Sequence, residues 1–175
     1  FTGIQLKYAE EVLKLAKANN KITLLGGVHA SLMSDQCIKE DFIDYVSVGE
    51  GKITLPSFLN FLQDKSVAPI GIVGRDVNYV PAGKLEIANF VCPITDKTLR
   101  LFTLANQTND IMFPSSRGCP YSCGFCVNST DKVKKYRTLD LKIWAQWLDV
   151  LLSKMEIKWL QIGDDYLGSE WRILE

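Results

Sequence analysis

Ser116–Arg117–Gly118–Cys119–Pro120–Tyr121–Ser122–Cys123–Gly124–Phe125–Cys126 puts three of the chain's five cysteines within one short loop. The C-x3-C-x2-C spacing lets three sulfurs aim at one centre. Thiolates are soft ligands that select iron–sulfur clusters or zinc. A closed zinc site needs four ligands, and the only histidine, His29, lies far upstream. A cubane cluster held by three cysteines keeps one iron open, which suits a catalytic site. Gly118 and Gly124 permit tight turns around such a group, and Phe125 can shield one side. The remaining cysteines, Cys37 and Cys92, bring the total to five, an odd count that argues against a complete disulfide framework. In a cytosolic setting such crowding means metal rather than disulfide.

Working outward, Ile111–Phe113 reads as a short strand leading directly into the loop. Lys132, Lys134, Lys135 and Arg137 then form a basic, solvated stretch. Thr138 is a candidate N-cap for an amphipathic helix whose apolar face is Leu141, Trp144, Leu148, Leu151, Leu152 and Met155. Trp144 and Trp147 are read as packing residues. Trp159–Ile162 is the next strand, ending in Gly163–Asp164–Asp165. Strand, loop, helix and strand make the opening unit of a parallel barrel or sheet, with functional groups at the strand ends.

Upstream, the spacing from Thr2 to Gln5 fits a helix capping box, and Leu6, Ala9, Val12, Leu13 and Ala16 follow at helical intervals up to Asn19–Asn20. Ile22–Leu25 is a buried strand ending in Gly26–Gly27–Val28–His29. A short helix is predicted over 34–39. Tyr45–Val48 is a second strand, ending in Gly49–Glu50–Gly51. A helix with Leu55, Phe58, Leu59 and Leu62 on one face comes next. The alternation indicates a doubly wound α/β domain, with both glycine turns at the strand ends where such sheets bind ligands. The segments 70–73 and 77–80 suggest a small hairpin. Residues 81–109 show no clear period, and 69–110 is read as a linker between domains at 1–68 and 111–175.

The chain has 175 residues, 47% hydrophobic and 23% charged, with zero formal net charge. These values fit a globular protein and give no sign of general affinity for nucleic acid or anionic membrane. No apolar run is long enough to span a bilayer. The start at Phe1 and the stop at Glu175 suggest a piece of a longer protein.

The cysteine loop resembles the signature of the radical S-adenosylmethionine superfamily, including the aromatic residue before the last cysteine. The resemblance implies that Cys119, Cys123 and Cys126 hold a 4Fe-4S cluster whose open iron chelates S-adenosylmethionine. One electron from the cluster then generates a 5′-deoxyadenosyl radical that attacks a small-molecule substrate. It implies that Phe125 lies near the adenine and that the end of the second strand holds the methionine amino group. Gly163–Asp164–Asp165 falls there. Many members carry Gly-Gly-Glu, so these carboxylates are either ligands or an acidic turn. The first half is similar to the cobalamin-binding domain of one large subfamily. Gly26–Gly27 matches the last element of its signature; the Asp-x-His-x-x-Gly loop that can supply an axial histidine would precede Phe1. The resemblance implies cofactor contacts at Gly26, Gly27, His29, Gly49, Glu50 and Gly51, with His29 touching the nucleotide tail or its own loop. Glu50 has a second reading, as the start of a helix whose dipole favours a carboxylate.

The expected architecture is therefore α/β: a partial Rossmann-like cobalamin-binding domain, then the start of a radical S-adenosylmethionine (β/α) partial TIM barrel. The expected cofactors are the 4Fe-4S cluster, S-adenosylmethionine and cobalamin. The expected outcome is methyl transfer, or ring closure or rearrangement, at an unactivated carbon. A cytoplasmic location and an electron donor such as flavodoxin or ferredoxin go with this, with no nucleic acid or membrane partner. Two alternatives stay open: a first domain that no longer binds cobalamin, and a non-enzymatic zinc module using the three cysteines plus Cys92.

Overall fold

The computed structural model describes residues 4–84, 94–105, 110–130 and 136–167. The chain forms two compact units, Phe1–Leu85 and Glu86–Glu175. Thr2, Cys92 and Lys132, Lys134 and Lys135 lie outside the described residues.

The first unit opens with α1 (Ile4–Ala18), followed by β1 (Leu24–Leu25), the short helices α2 (Val28–Leu32) and α3 (Ser34–Cys37), β2 (Tyr45–Ser47), α4 (Gly51–Gln63) and β3 (Ile72–Gly74). The sheet order is β1-β2-β3. β1 and β2 are parallel, with Leu24 opposite Tyr45 and Leu25 opposite Val46. β3 pairs antiparallel with β2, so the sheet is mixed. Of the small hairpin expected from 70–73 and 77–80, only an isolated antiparallel bridge between Gly74 and Val77 forms; Ile70 and Val80 make an isolated parallel bridge, because 72–74 pairs with β2 instead.

The core of this unit has two clusters. Leu25, Ala30, Cys37, Ile43 and Val46 pack beneath α2 and α3, while Phe58, Phe61 and Ile72 pack around α4. Burial pushes the free Cys37 thiol up, away from its reactive form. Tyr45 adds an aromatic contact to Phe58, with centroids 4.9 Å apart. The buried face of α4 is Thr54, Phe58 and Phe61. Leu55 and Leu59, expected on that face, are about half exposed. Thr54 replaces them because its hydroxyl is satisfied by the Ser47 hydroxyl at 2.6 Å, so burying it leaves no orphaned polar atom. Val12 of α1 likewise faces outward.

Asp44 ties the start of the sheet to α1. It accepts from Lys17 Nζ at 2.6 Å and from the Thr23 amide and hydroxyl. Burial pushes the Asp44 carboxyl up, but these hydrogen bonds outweigh it and hold the pKa below the usual carboxylate range.

The second unit contains α5 (Asp96–Ala105), β4 (Asp110–Met112), β5 (Ser116–Arg117), a 3-10 turn (Val127–Thr130), β6 (Arg137–Thr138), α6 (Leu141–Lys154) and β7 (Trp159–Gln161). The segment 69–110 thus holds a strand of the first sheet and a ten-residue helix. β4 and β7 are parallel neighbours, with Ile111 opposite Leu160. β5 and β6 form a separate antiparallel pair. The α/β architecture expected from the sequence is present, with a pair of parallel strands in each unit.

Ile111, Phe113, Leu139, Trp144 and Leu151 form the core of this unit, and Leu99 of α5 packs against it. The helix α6 is capped by Asp140, whose carboxylate accepts from the Lys142 and Ile143 amides. Thr138, the expected cap, lies in β6 instead. Leu152 is exposed and off the buried face. Arg137 is buried, contrary to the expected solvated stretch, because it sits inside the β5–β6 ladder opposite Arg117.

Candidate functional site

The loop 118–126 leaves β5 immediately after Arg117. β5 itself follows the end of β4 by only a few residues. Gly118 has φ of +84°, a left-handed conformation that L side chains rarely adopt, and it turns the chain out of β5 into Cys119. Cys119 and Cys126 are half-buried and Cys123 is exposed; all three are free thiols. The Cys126 amide donates to the Cys123 carbonyl at 3.0 Å, and the Ser129 hydroxyl donates to the Cys126 carbonyl at 2.6 Å. These bonds close the last third of the loop into the 3-10 turn.

The three thiols therefore share one exposed loop but are not gathered: among the described residues no three Cys, His, Asp or Glu side chains lie close enough together to hold a metal ion. The donor set fits an iron–sulfur cluster. It offers three soft ligands, none committed to a disulfide, in one loop directly after β5. Phe125 is 95% exposed and shields nothing.

The end of β7 reaches the root of this loop. The Phe113 amide donates to the Gln161 carbonyl at 2.8 Å, carrying the β4–β7 ladder to its end. Gly163 follows, and a Cβ there would sit 2.4 Å from Met112 Cγ and Sδ. Asp164 Oδ1 accepts from the amides of Ser115 (2.8 Å) and Ser116 (3.0 Å), and Oδ2 accepts from the Ser115 hydroxyl (2.6 Å). Asp165 is exposed. The loop and the Gly163–Asp164–Asp165 turn, far apart in sequence, thus meet at the same strand ends.

Sequence reading missed three tyrosines here. Tyr166 packs edge-on against Tyr121 of the cysteine loop at 5.1 Å and against Tyr136 at 5.8 Å. The Tyr121 and Tyr166 hydroxyls are 3.3 Å apart. The hydrogen bond with Tyr121, followed by partial burial, pushes the Tyr166 phenol above its ordinary range. Ser115 was missed as well. The only sequence signal was position: Tyr121 inside the cysteine motif and Tyr166 beside the acidic turn.

In the first unit, Gly26–Gly27 and Gly49–Glu50–Gly51 stand at the carboxyl ends of the parallel strands β1 and β2. The Ser31 hydroxyl accepts from the Gly49 amide at 3.1 Å and so joins the two turns. Gly27 and Gly49 have φ near +100°, and a Cβ on Gly26 would lie 3.5 Å from that of Ser47. Gly51 has open space where a side chain would be. Bare backbone at these ends fits a bulky ligand laid across the sheet edge. His29 is in α2, partly buried, with its carbonyl accepting from Met33. Glu50 is the N-cap residue of α4 and makes no side-chain cap bond.

No family model matches the chain. It is 26% identical over 172 residues to an anaerobic magnesium-protoporphyrin IX monomethyl ester cyclase of Rubrivivax gelatinosus, covering 90% of this chain and 31% of that protein. It is 28% identical over 168 residues to an uncharacterized methyltransferase of Synechocystis sp., covering 91% and 27% respectively. Among solved structures, the apo form of the cobalamin-dependent S-adenosylmethionine radical enzyme OxsB superposes with a TM-score of 0.69 at 22% identity, covering 95% of this chain and 25% of that one. The fold is thus the one found in a cobalamin-dependent radical enzyme. The chain is thus similar in sequence to proteins named as a cyclase and as a methyltransferase, and in fold to that radical enzyme. It spans about a quarter to a third of the length of the relatives it matches.

Proposed function

We propose that this chain carries the cofactor-binding part of a radical S-adenosylmethionine enzyme. Cys119, Cys123 and Cys126 would hold a 4Fe-4S cluster, leaving one iron for S-adenosylmethionine. The glycine turns at 26–27 and 49–51 would receive cobalamin. The observation that carries this reading is the meeting of the cysteine loop with the end of the parallel strand β7, through Asp164 and Ser115.

When bound, the cluster supplies the electron that cleaves the carbon–sulfur bond of S-adenosylmethionine. The chain's own part is positioning. β4 and β5 present the loop, Gly118 turns it outward, and the Gly163–Asp164–Asp165 turn would supply a carboxylate beside it for a cationic amino group. The exposed glycine backbone of the first unit accepts a large, flat ligand. The relatives include a protein named as a cyclase and one named as a methyltransferase. Methyl transfer is the outcome we favour for this protein, with ring closure as the second reading. A reduced flavodoxin or ferredoxin in the cytoplasm would serve as electron source, and the substrate would be a small molecule.

Anaerobic reconstitution with iron and sulfide, followed by electron paramagnetic resonance of the reduced protein, tests this. The expected result is a 4Fe-4S signal that shifts on adding S-adenosylmethionine and disappears in Cys123→Ala. Stable zinc without sulfide would overturn the reading and favour a zinc module.

A further inference from the structure

Asp164 is occupied. A carboxylate offers about four acceptor positions, and three are taken by donors from Ser115 and Ser116. Those residues are 2% and 5% exposed. Loss of Asp164 would orphan two buried amides and a hydroxyl at the point where the chain leaves β4 for β5. That point lies three residues before Cys119. Two further contacts run from the same turn. The Ser116 hydroxyl donates to the Tyr166 carbonyl at 3.5 Å, and Tyr166 packs on Tyr121 within the loop.

We propose that Asp164 and Tyr166 form a clasp that seats the cysteine loop, with Asp164 a positioning residue rather than a ligand of S-adenosylmethionine. Asp164 anchors the loop's root and Tyr166 its interior. The exposed Asp165 is then the carboxylate of this turn left for a cationic ligand. The inference rests on the cluster-binding reading above and goes beyond it by dividing the two adjacent aspartates between different tasks. The reason is local geometry. One carboxylate accepts from the buried Ser115 and Ser116 donors, and its neighbour is exposed.

The test uses the full-length protein with Asp164→Ala, Ser115→Ala and Asp165→Asn. In metal-free protein, hydrogen exchange at the Ser115 and Ser116 amides is expected to accelerate about tenfold or more in Asp164→Ala, since both lose a charged acceptor. After reconstitution, iron release to a chelator should be about tenfold faster in that variant. Its surviving clusters should show the S-adenosylmethionine-induced resonance shift at a concentration within about twofold of wild type. Asp165→Asn should give the converse, normal iron retention with weakened S-adenosylmethionine response. Ser115→Ala removes only the hydroxyl and should show a milder form of the Asp164 phenotype, which keeps the test open if Asp164→Ala does not fold. Unchanged exchange and iron release in Asp164→Ala would overturn the clasp. So would a tenfold loss of S-adenosylmethionine response with the cluster fully retained. Failure of the wild type to take up a cluster would instead overturn the function proposed above, while the exchange measurement would still decide whether the clasp exists.

Discussion

At the residue scale, individual atoms explain positions that composition leaves ordinary. Gly71 has φ of +70°, and a Cβ there would lie 2.4 Å from Thr54 Cγ2 and 2.8 Å from the Val48 carbonyl oxygen. The latter is backbone and cannot step aside. Left-handed strain and overpacking add, so Gly71→Ala should destabilise the first unit by about 3 kcal/mol, read from chemical denaturation. Asp44 gives a pH prediction. Its folded pKa lies below the unfolded value near 3.8. Its contribution is therefore fully present above that value and is lost as pH falls through the lower folded pKa. Asp44→Ala should lower stability at pH 7 by about 2 kcal/mol and flatten the acid limb of a pH–stability curve. An unchanged limb would show that Lys17 and Thr23 do not act through this carboxylate.

At the element scale, helix periodicity found the helices but overcounted their buried faces. In α6 the residues that pack are Trp144, Trp147, Leu148 and Leu151, with Met155 at the C-cap. Leu152 matches an apolar pattern but falls one step round the helix. In α4 the true stripe passes through a threonine, which hydrophobicity alone does not reveal, because its burial depends on a serine in β2. The α6 cap shows a similar limit. Thr138 and Asp140 both suit the role by residue type, and only the β5–β6 pairing that engages Thr138 settles it. Asp140→Ala should cost about 1 kcal/mol, measured by thermal or urea unfolding, whereas Thr138→Ala should leave the α6 cap intact. The helix α5 went unread because its surroundings from Pro81 to Asn109 lack a regular apolar period, and its docking rests on Leu99 and an Asp96–Lys154 ion pair at 2.6 Å.

At the scale of the whole molecule, each unit has a pair of parallel strands, with the glycine turns at the carboxyl ends of one pair and the Gly163–Asp164–Asp165 turn at the end of the other, beside the cysteine loop that leaves β5. Parallel strands concentrate loops from distant sequence at one end, which is why such ends collect ligand-binding groups. Among the described residues no helix is long and apolar enough to cross a membrane. The chain covers only 27–31% of the relatives described above. The 175-residue chain alone is accordingly expected to release no 5′-deoxyadenosine from S-adenosylmethionine under reducing conditions, by chromatography of quenched reactions. A measurable yield would show that these two units suffice for the cleavage step.

The sequence by itself determined the cysteine loop, the two glycine turns and the alternation of strands and helices, because each rests on local chemistry: soft ligands at short spacing, backbone freedom, and apolar periodicity. The tertiary structure alone decided that β3 joins the first sheet, that Arg137 is buried, and that Asp164 holds Ser115 and Ser116 while Tyr166 packs on Tyr121. Those contacts join residues about 45 to 50 positions apart. Their energy comes from satisfying donors that only the folded chain buries, so no local pattern of residues announces them.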